Sequence, residues 1–274
     1  MPFIAGLHSG PPAKPRTPFH RALPPFLFVF QCLVLTWEGL PKAIWHQLTH
    51  PNLIRWLSPW AWRDLVLKYG FSKLLEGSDI NYRKYKAPLI KLARGRVLEV
   101  GAGSGMTVKY YDASQVAELV AIEPFEELRT ELAQEVAAAG LKEKTKIIPH
   151  GIDERATLSA SGVIESSFDT IVLVQVLCSI PQPKEQIQYL QSLLKPGGQI
   201  LMFEHCGSKD SITRFYQRVC APWWLFATSS CNLCRDSGDW LLQQGGWKSA
   251  TIETIVDEDA TFLFPHEVGR LIKE

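Results

Sequence analysis

The sequence has almost no excess of charge of either sign. Its 274 residues include 29 basic and 28 acidic side chains, which gives a formal net charge of +1. A protein whose main partner is a polyanion needs a surplus of basic residues on its surface. The composition therefore argues against nucleic acid as the main partner, and we predict no nucleic-acid binding.

Cysteines are few, and no apolar run is long. The six cysteines show no regular framework, which favours reduced thiols in a cytosol-facing protein. Cys231 and Cys234 have C-x-x-C spacing without a second such pair, so zinc binding, a redox pair and simple packing stay open, and no metal ligand is predicted.

The main apolar run, Phe26 to Leu35, has ten residues and is interrupted by Gln31. A membrane span needs about 20.

The N-terminal part of the chain has an unusual composition. Residues 1–25 contain seven of the eighteen prolines and no acidic residue, which predicts an irregular, Pro-rich arm. Five of the nine tryptophans lie within residues 37–62, among basic side chains. Trp and cationic side chains suit the headgroup level of a membrane. We therefore predict that residues 26–68 lie on a membrane surface. The alternative is a helical cap packed on the following domain.

Residues 69–274 alternate between strand and helix patterns, which predicts one domain with a parallel sheet and crossover helices. The expected fold is α/β, a doubly wound, Rossmann-like sheet of seven mostly parallel strands behind an N-terminal helical, apolar extension. The predicted strands are 96–100, 118–122, 145–148, 170–174, 199–204, 249–255 and 267–273, and the predicted helices are 71–93, 105–111, 126–139, 183–194 and 212–217.

A glycine-rich turn follows the first predicted strand. Residues 97–105 read Val-Leu-Glu-Val-Gly-Ala-Gly-Ser-Gly, which places Gly101, Gly103 and Gly105 at alternate positions after Glu99. Dinucleotide sites have the spacing G-x-G-x-x-G, and a carboxylate at Glu99 would repel a pyrophosphate. It would instead accept hydrogen bonds from an ammonium or a hydroxyl. The pattern E-x-G-x-G-x-G resembles the cofactor loop of class I S-adenosylmethionine-dependent methyltransferases.

Polar residues at the ends of later strands complete a candidate site. Glu123 ends the second predicted strand, 18 residues after Gly105, where an acid can accept hydrogen bonds from a ribose diol. Asp153 is a candidate acceptor for an adenine amino group, or else a helix N-cap. Gln175 ends the fourth strand and is a candidate contact to cofactor or acceptor. His205 ends the fifth and is either a proton acceptor or an ordinary hydrogen-bonded histidine.

Several segments together resemble one family, the membrane-associated methyltransferase-like-7 group of thiol S-methyltransferases. They are Leu98-Glu99-Val100-Gly101-Ala102-Gly103-Ser104-Gly105, Val176-Leu177-Cys178-Ser179, Leu194-Lys195-Pro196-Gly197-Gly198, Phe203-Glu204-His205 and Cys231-Asn232-Leu233-Cys234-Arg235. The resemblance covers residues 70–274. It implies S-adenosyl-L-methionine as cofactor and an attachment to endoplasmic reticulum or lipid droplets. Ser230 and Cys234 depart from the family, which has Gly and Thr there, and the Pro-rich arm is longer.

The expected function is therefore methyl transfer from S-adenosyl-L-methionine to a small lipophilic acceptor, with a thiol preferred. His205 is the predicted base, and Arg235 a predicted cation that favours a thiolate. Residues 206–246, rich in aromatic side chains, are expected to wall the acceptor pocket. One alternative is an N- or O-methyltransferase of secondary metabolism. The other is a non-catalytic, membrane-associated binding protein with the same fold. The sequence leaves the oligomeric state open.

Overall fold

The computed structural model describes residues 24–255, 258 and 262–274. Most of the predicted Pro-rich arm, residues 1–23, lies outside these described residues.

One seven-stranded sheet forms the centre of the domain, with the strand order β3-β2-β1-β4-β5-β7-β6. The strands are β1 Gly95–Val100, β2 Val116–Ile122, β3 Thr145–Ile148, β4 Phe168–Val174, β5 Leu194–His205, β6 Trp247–Thr254 and β7 His266–Lys273. The first five strands pair in parallel, and β7 runs antiparallel between β5 and β6. The predicted fold class, a mostly parallel doubly wound sheet, is confirmed.

Eight α-helices accompany the sheet in the described part of the chain. They are α1 Pro24–Thr49, α2 Leu53–Leu57, α3 Pro59–Ile90, α4 Glu126–Ala138, α5 Arg155–Ala160, α6 Pro183–Leu193, α7 Ser211–Thr228 and α8 Ser237–Gln244. Local sequence explains several helix starts. Ser58 caps α3 by accepting a hydrogen bond from the Ala61 amide, with Pro59 following it, and two acidic residues in the first turn of α4 suit its dipole.

Alternate residues of the strands point into two apolar cores, one on each face of the sheet. In β1, Val97 faces the core that α3 and α4 cover, whereas Leu98 and Val100 face the core under α6 and α8. This alternation is what a strand buried on both faces requires. Helices on both faces leave the carboxyl ends of the parallel strands as the open edge of the domain.

The three N-terminal helices form a layer on one side of this domain. α1 packs along α3 and also contacts α7. The predicted boundary at residues 68 and 69 falls inside α3, which runs unbroken from Pro59 to Ile90. Within the described part of the chain, no helix has both the length and the apolar character needed to cross a bilayer.

The predicted helix over residues 105–111 is wrong. The crossover from β1 to β2 contains only a 3-10 turn, Val108–Tyr110. Gly105 has a φ of +83°, which is incompatible with continuing an α-helix, and the side chains of Thr107 and Tyr111 turn inward to Glu99. The glycine turn therefore leads into a 3-10 turn and not into the N-terminus of an α-helix.

Candidate cofactor and acceptor sites

The largest set of predicted site residues meets in one cavity of about 430 Å³ at the carboxyl ends of β1, β2 and β4. The glycine turn and Glu123 line it from the sheet, and Phe71 and Leu75 of α3 cover it. Six of the seven residues predicted to bind the cofactor belong to its wall, and Gly105 does not. An open α/β sheet binds ligands at this edge, so we take it as the candidate cofactor cavity.

The glycine turn adopts a backbone that other residues disfavour. Gly101, Gly103 and Gly105 have φ values of +64°, +57° and +83°. A Cβ atom on Gly101 would also lie 2.5 Å from Cγ2 of Val176. Gly105 lies outside the cavity wall, where its lack of a side chain makes room for Leu132 and Glu135 of α4. Positive φ therefore explains all three glycines, but only the first two face the cavity.

Glu123 joins the glycine turn to the turn after β2. Its Oε2 accepts a hydrogen bond from the Gly103 amide at 2.8 Å, and its Oε1 accepts one from the Phe125 amide at 2.9 Å. Burial raises the pKa of this carboxyl, and the two amides oppose the shift. Each oxygen keeps a second lone pair. The carboxylate can thus accept hydrogen bonds from both hydroxyls of a ribose while its own position stays fixed.

Glu99 is a fully buried acid in the same cavity wall. Thr107 donates a short hydrogen bond to its Oε1, and the Tyr111 hydroxyl donates to Oε2 at 2.8 Å. Burial raises the pKa of Glu99 to about 7, with the two hydroxyl groups opposing the shift. A cationic ligand beside this carboxyl would favour its charged form. The position suits the ammonium of an amino acid.

Lys86 is a cavity residue that the sequence did not reveal. Its side chain is buried, and its ammonium donates hydrogen bonds to Oγ of Ser78 at 3.2 Å and to Oε1 of Gln175 at 3.0 Å. Burial lowers the pKa of Lys86 to about 8, although the charge of Asp79 opposes the shift. An ammonium has three donors. The third can bind a carboxylate in the cavity, and nothing in the sequence distinguishes this lysine from its neighbours on α3.

Gln175 and Asp153 complete the polar wall. Gln175 has a φ of +54°, and its side chain is held between Ser78, Lys86 and Nε2 of His266, the last at 3.1 Å. Asp153 is exposed at the rim. The alternative that Asp153 is a helix N-cap is wrong, because Glu154 occupies the N-cap position of α5. The Glu154 carboxylate accepts a hydrogen bond from the Gly151 amide. A contact from Asp153 to an adenine stays a prediction.

His205 and Arg235 lie behind the cavity wall and do not line it. Nε2 of His205 is 2.9 Å from Sγ of Cys231, and Nδ1 has no partner among the described residues. Nη1 of Arg235 donates to the carbonyls of Leu177 and Ile180 at 2.6 and 2.7 Å. Arg235 therefore fastens the segment after β4. The catalytic roles of both residues stay predictions.

A second cavity, of about 410 Å³, adjoins the first. The two share four wall residues, Phe71, Phe125, Leu128 and Ser230. Side chains of α2, α3 and α4 supply most of the rest, and residues 228–230 close it from the end of α7. The aromatic side chains of residues 206–246, expected in the acceptor pocket, do not line either cavity. Trp224 instead packs on Phe264 in a separate apolar cluster.

The polar groups of the first cavity fit S-adenosyl-L-methionine. This cofactor carries an ammonium and a carboxylate at one end and a ribose diol near the other, with no phosphate. Glu99 and Lys86 offer opposite charges for the amino-acid end, Glu123 offers acceptors for the diol, and the glycine turn allows close backbone approach. Because the cavity presents two carboxyl groups to the glycine turn, it is poorly suited to a pyrophosphate.

Comparison with solved structures identifies the class of the fold, that of S-adenosylmethionine-dependent methyltransferases. An O-methyltransferase family protein from Burkholderia thailandensis superposes with a TM-score of 0.58 at 13% identity, covering 90% of this chain and 71% of that one. A SAM-dependent methyltransferase from Leishmania major gives 0.52 at 18% identity, covering 73% and 76%.

The sequence itself belongs to the methyltransferase-domain family, whose model matches residues 79–250. Relatives include the thiol S-methyltransferase TMT1B of Rattus norvegicus, 27% identical over 143 residues, and TMT1A of Homo sapiens, 28% identical over 162. The match covers 52% and 57% of this chain, and only 55% and 61% of those relatives. The predicted enzyme class, the cofactor and the resemblance to thiol S-methyltransferases are confirmed.

Proposed function

We propose that this protein methylates the thiol of a small lipophilic acceptor that occupies the second cavity. The observation that carries the proposal is the wall that the two cavities share, since an acceptor in the second cavity would lie beside a cofactor in the first. The wall of the second cavity is largely apolar, with Leu65, Leu67 and Phe71 among its residues. The names of the TMT1 relatives support the thiol as the acceptor group.

Charges around the second cavity favour a thiolate over an ammonium. Its two carboxyl groups are already paired, Asp64 with Arg63 at 2.8 Å and Glu127 with Lys68 at 3.2 Å. Arg55 adds a further cation to the wall. Positive neighbours lower a thiol's pKa from its usual value of about 8.5. The thiolate form of an acceptor would therefore be favoured beside Arg55.

S-adenosyl-L-methionine, when bound, supplies a methyl group on a positively charged sulfur. The chain's own contribution is to hold the acceptor in line and to exclude water, since positioning can lower the barrier by up to about 7–11 kcal/mol. The acceptor sulfur gains the bond to carbon, the donor sulfur keeps the electron pair, and the thiol proton leaves to solvent.

An acceptor panel with radiolabelled cofactor tests this function. We expect alkyl and aryl thiols to be methylated at least tenfold faster than amines or phenols of the same carbon skeleton.

Leu65→Trp should raise the KM for the thiol by about tenfold with cofactor affinity unchanged, because Leu65 lines only the second cavity. Ile80→Trp, on an exposed position of α3, is the matched control. Faster transfer to amines or phenols would favour the N- or O-methyltransferase alternative, and failure to bind the cofactor would favour the non-catalytic one.

We further propose that an apolar face made by α1, α2 and α7 docks on a cytosol-facing membrane, such as endoplasmic reticulum or a lipid droplet. The ring centroid of Trp60, at the start of α3, lies 6.4 Å from that of Phe226 in α7, and α1 also contacts α7. Exposed members of this face include Trp37, Trp45, Ile54, Leu57, Phe215 and Trp223, each between 61% and 81% accessible. A lipophilic acceptor dissolved in the bilayer would then reach the second cavity, whose wall includes Arg55 of α2.

Sedimentation with vesicles containing anionic lipid tests the membrane proposal. The triple variant Ile54→Ser, Leu57→Ser, Trp223→Ser should lose at least tenfold in vesicle affinity, because these side chains are exposed and contribute mainly to the face. Ile80→Ser with Ile164→Ser removes exposed apolar side chains elsewhere and should bind like the parent. Equal binding of the triple variant would contradict the proposal.

A further inference from the structure

Three metal-ligating side chains meet behind the wall of the cofactor cavity. Cys178 follows β4, His205 ends β5, and Cys231 follows α7, and one ligand atom of each lies within 4.8 Å of the others. Nε2 of His205 and Sγ of Cys231 are 2.9 Å apart. Cys178 and His205 are buried and Cys231 is half-buried. None of the three lines either described cavity, so the proposed function does not use this cluster directly.

The backbone around the cluster is fixed by hydrogen bonds. The Asn232 amide donates to the carbonyl of Cys178 at 2.9 Å, which joins the two cysteine-bearing segments. Arg235 brackets Cys178 by donating to the carbonyls on either side, those of Leu177 and Ile180. The three ligand residues are therefore held together from elements that are far apart in sequence.

Both sulfur atoms have polar neighbours that would stabilise a negative charge on the sulfur. Nε1 of Trp224 donates to Sγ of Cys231 at 3.1 Å, and the Ser179 hydroxyl lies 3.1 Å from Sγ of Cys178. Donors of this kind stabilise thiolates around a bound metal. Two thiolates would neutralise a divalent cation and make its burial acceptable.

We propose that Cys178, His205 and Cys231 bind a zinc ion. Two sulfurs and an imidazole are a soft to borderline donor set that suits zinc and disfavours magnesium or calcium. Zn–S and Zn–N bonds of about 2.3 and 2.0 Å place ligand atoms about 3.5 to 4 Å apart, so movements of about 1 Å would bring all three ligand atoms to bonding distance. A water molecule would take the fourth position, as in other zinc sites with three protein ligands. Binding forms two Zn–S bonds and one Zn–N bond and releases the two thiol protons, with no oxidant or reductant.

This assignment changes which cysteines matter. The C-x-x-C spacing suggested Cys231 with Cys234, but Cys234 is not in the cluster. The backbone amide of Cys234 donates a hydrogen bond to Oδ1 of Asn232. A zinc ligand at His205 also excludes that imidazole as the base for an acceptor. The two roles are separable, since Cys178→Ser removes a ligand and leaves His205 in place.

Zinc titration of the full-length protein, purified under reducing conditions and stripped with chelator, tests the site. We expect one Zn²⁺ per chain, and one Co²⁺ with the intense sulfur-to-cobalt absorption of thiolate ligation. Cys178→Ser, His205→Ala and Cys231→Ser should each weaken zinc affinity at least 100-fold. Cys234→Ser, three residues from Cys231, should stay within about twofold of the parent. Circular dichroism and cofactor titration show whether each variant is folded.

Several outcomes would overturn the zinc site. They are the absence of stoichiometric zinc binding by the folded parent, undiminished binding by all three ligand variants, an equal loss in Cys234→Ser, or a Cys178–Cys231 disulfide in the reduced preparation. Since zinc content and the cobalt spectrum need no acceptor, the result is independent of whether the thiol proposal holds.

Discussion

At the scale of single residues, the cofactor cavity is defined by where its charges are fixed. Glu99 and Glu123 are both buried carboxyls whose oxygens already accept hydrogen bonds from their own chain. Such bonds hold each carboxylate in place before a ligand arrives. Lys86 is the buried cation that balances them, and its partners Ser78 and Gln175 are neutral. The cavity is therefore organised for a ligand that carries both signs of charge.

Lys86 predicts a pH dependence of cofactor binding. Its pKa of about 8 in the free protein means that the ammonium is present below pH 8 and is lost above it. If the ammonium holds the cofactor's carboxylate, affinity should fall above pH 8, by up to about tenfold per pH unit. Calorimetric titration between pH 7 and 9.5 measures this change.

The control for Lys86 is Lys86→Arg, which stays charged at every pH tested. The α-amino group of the cofactor also titrates near pH 8, so the informative quantity is the difference between parent and Lys86→Arg. We expect the arginine variant to lose less affinity at pH 9.5, and Lys86→Met to bind weakly throughout. Parallel pH curves for all three proteins would show that Lys86 does not bind the carboxylate.

At the scale of elements, a glycine sets the distance between the N-terminal helices. A Cβ atom on Gly39 of α1 would lie 2.2 Å from the carbonyl oxygen of Val66 in α3. The two helix backbones approach this closely only because position 39 has no side chain. The close packing of α1 on α3 therefore requires a glycine at position 39.

Gly39→Ala should lower the free energy of unfolding by about 1–3 kcal/mol, the usual cost of overpacking. Gly77→Ala is the matched control, since it lies within α3 with no atom in 4 Å of its Cβ position. There alanine should be neutral or stabilise by up to about 1 kcal/mol. Urea unfolding followed by tryptophan fluorescence gives both values. Similar effects of the two substitutions would contradict the packing role of Gly39.

Element prediction succeeded where one local signal dominates. β3 was predicted at its observed bounds, and α4 and α6 to within one residue. The helix predicted after the glycine turn failed because Gly105 has a positive φ and packs closely against α4, a contact that the local pattern does not contain. α7 is much longer than the predicted 212–217, since Pro222 and a run of aromatic residues concealed its amphipathic continuation.

At the scale of the whole molecule, cofactor binding should raise thermal stability. A ligand at 100 times its Kd stabilises the native state by about 2.7 kcal/mol, which corresponds to a rise in Tm of about 5–10 °C for a domain of this size. Differential scanning fluorimetry with S-adenosyl-L-methionine measures the shift.

Glu123→Gln should abolish most of that thermal shift at the same cofactor concentration. A glutamine has a single acceptor oxygen, so it cannot satisfy both the Gly103 and Phe125 amides and a ribose diol. Glu126→Gln, on the exposed first turn of α4, should shift like the parent. An unchanged shift in Glu123→Gln would remove Glu123 from the cofactor site.

Taken over the whole chain, the sequence predicted the fold and most of the cofactor wall, because a glycine turn and an acid at a fixed distance lie on consecutive strands. It could not predict Lys86 or the second cavity, since both depend on how α3 lies across the sheet edge. It also missed the grouping of Cys178, His205 and Cys231, which come from three elements separated by tens of residues. Residue spacing along the sequence predicts contacts within one strand and its following turn. The contacts of Lys86, of the second cavity and of the three metal-ligating residues instead join elements that are distant in sequence.

The position of β7 has a consequence for synthesis of the protein. This strand, His266–Lys273, fills the gap between β5 and β6, so a nascent chain that has not yet released it lacks a complete sheet. α1 leaves the ribosome more than 200 residues earlier, which at about 5–20 residues per second is a lead of about 10–40 s. During that interval the apolar N-terminal helices are available to chaperones or lipid while the catalytic domain is still unfolded. If the membrane proposal holds, targeting of the chain can precede its folding.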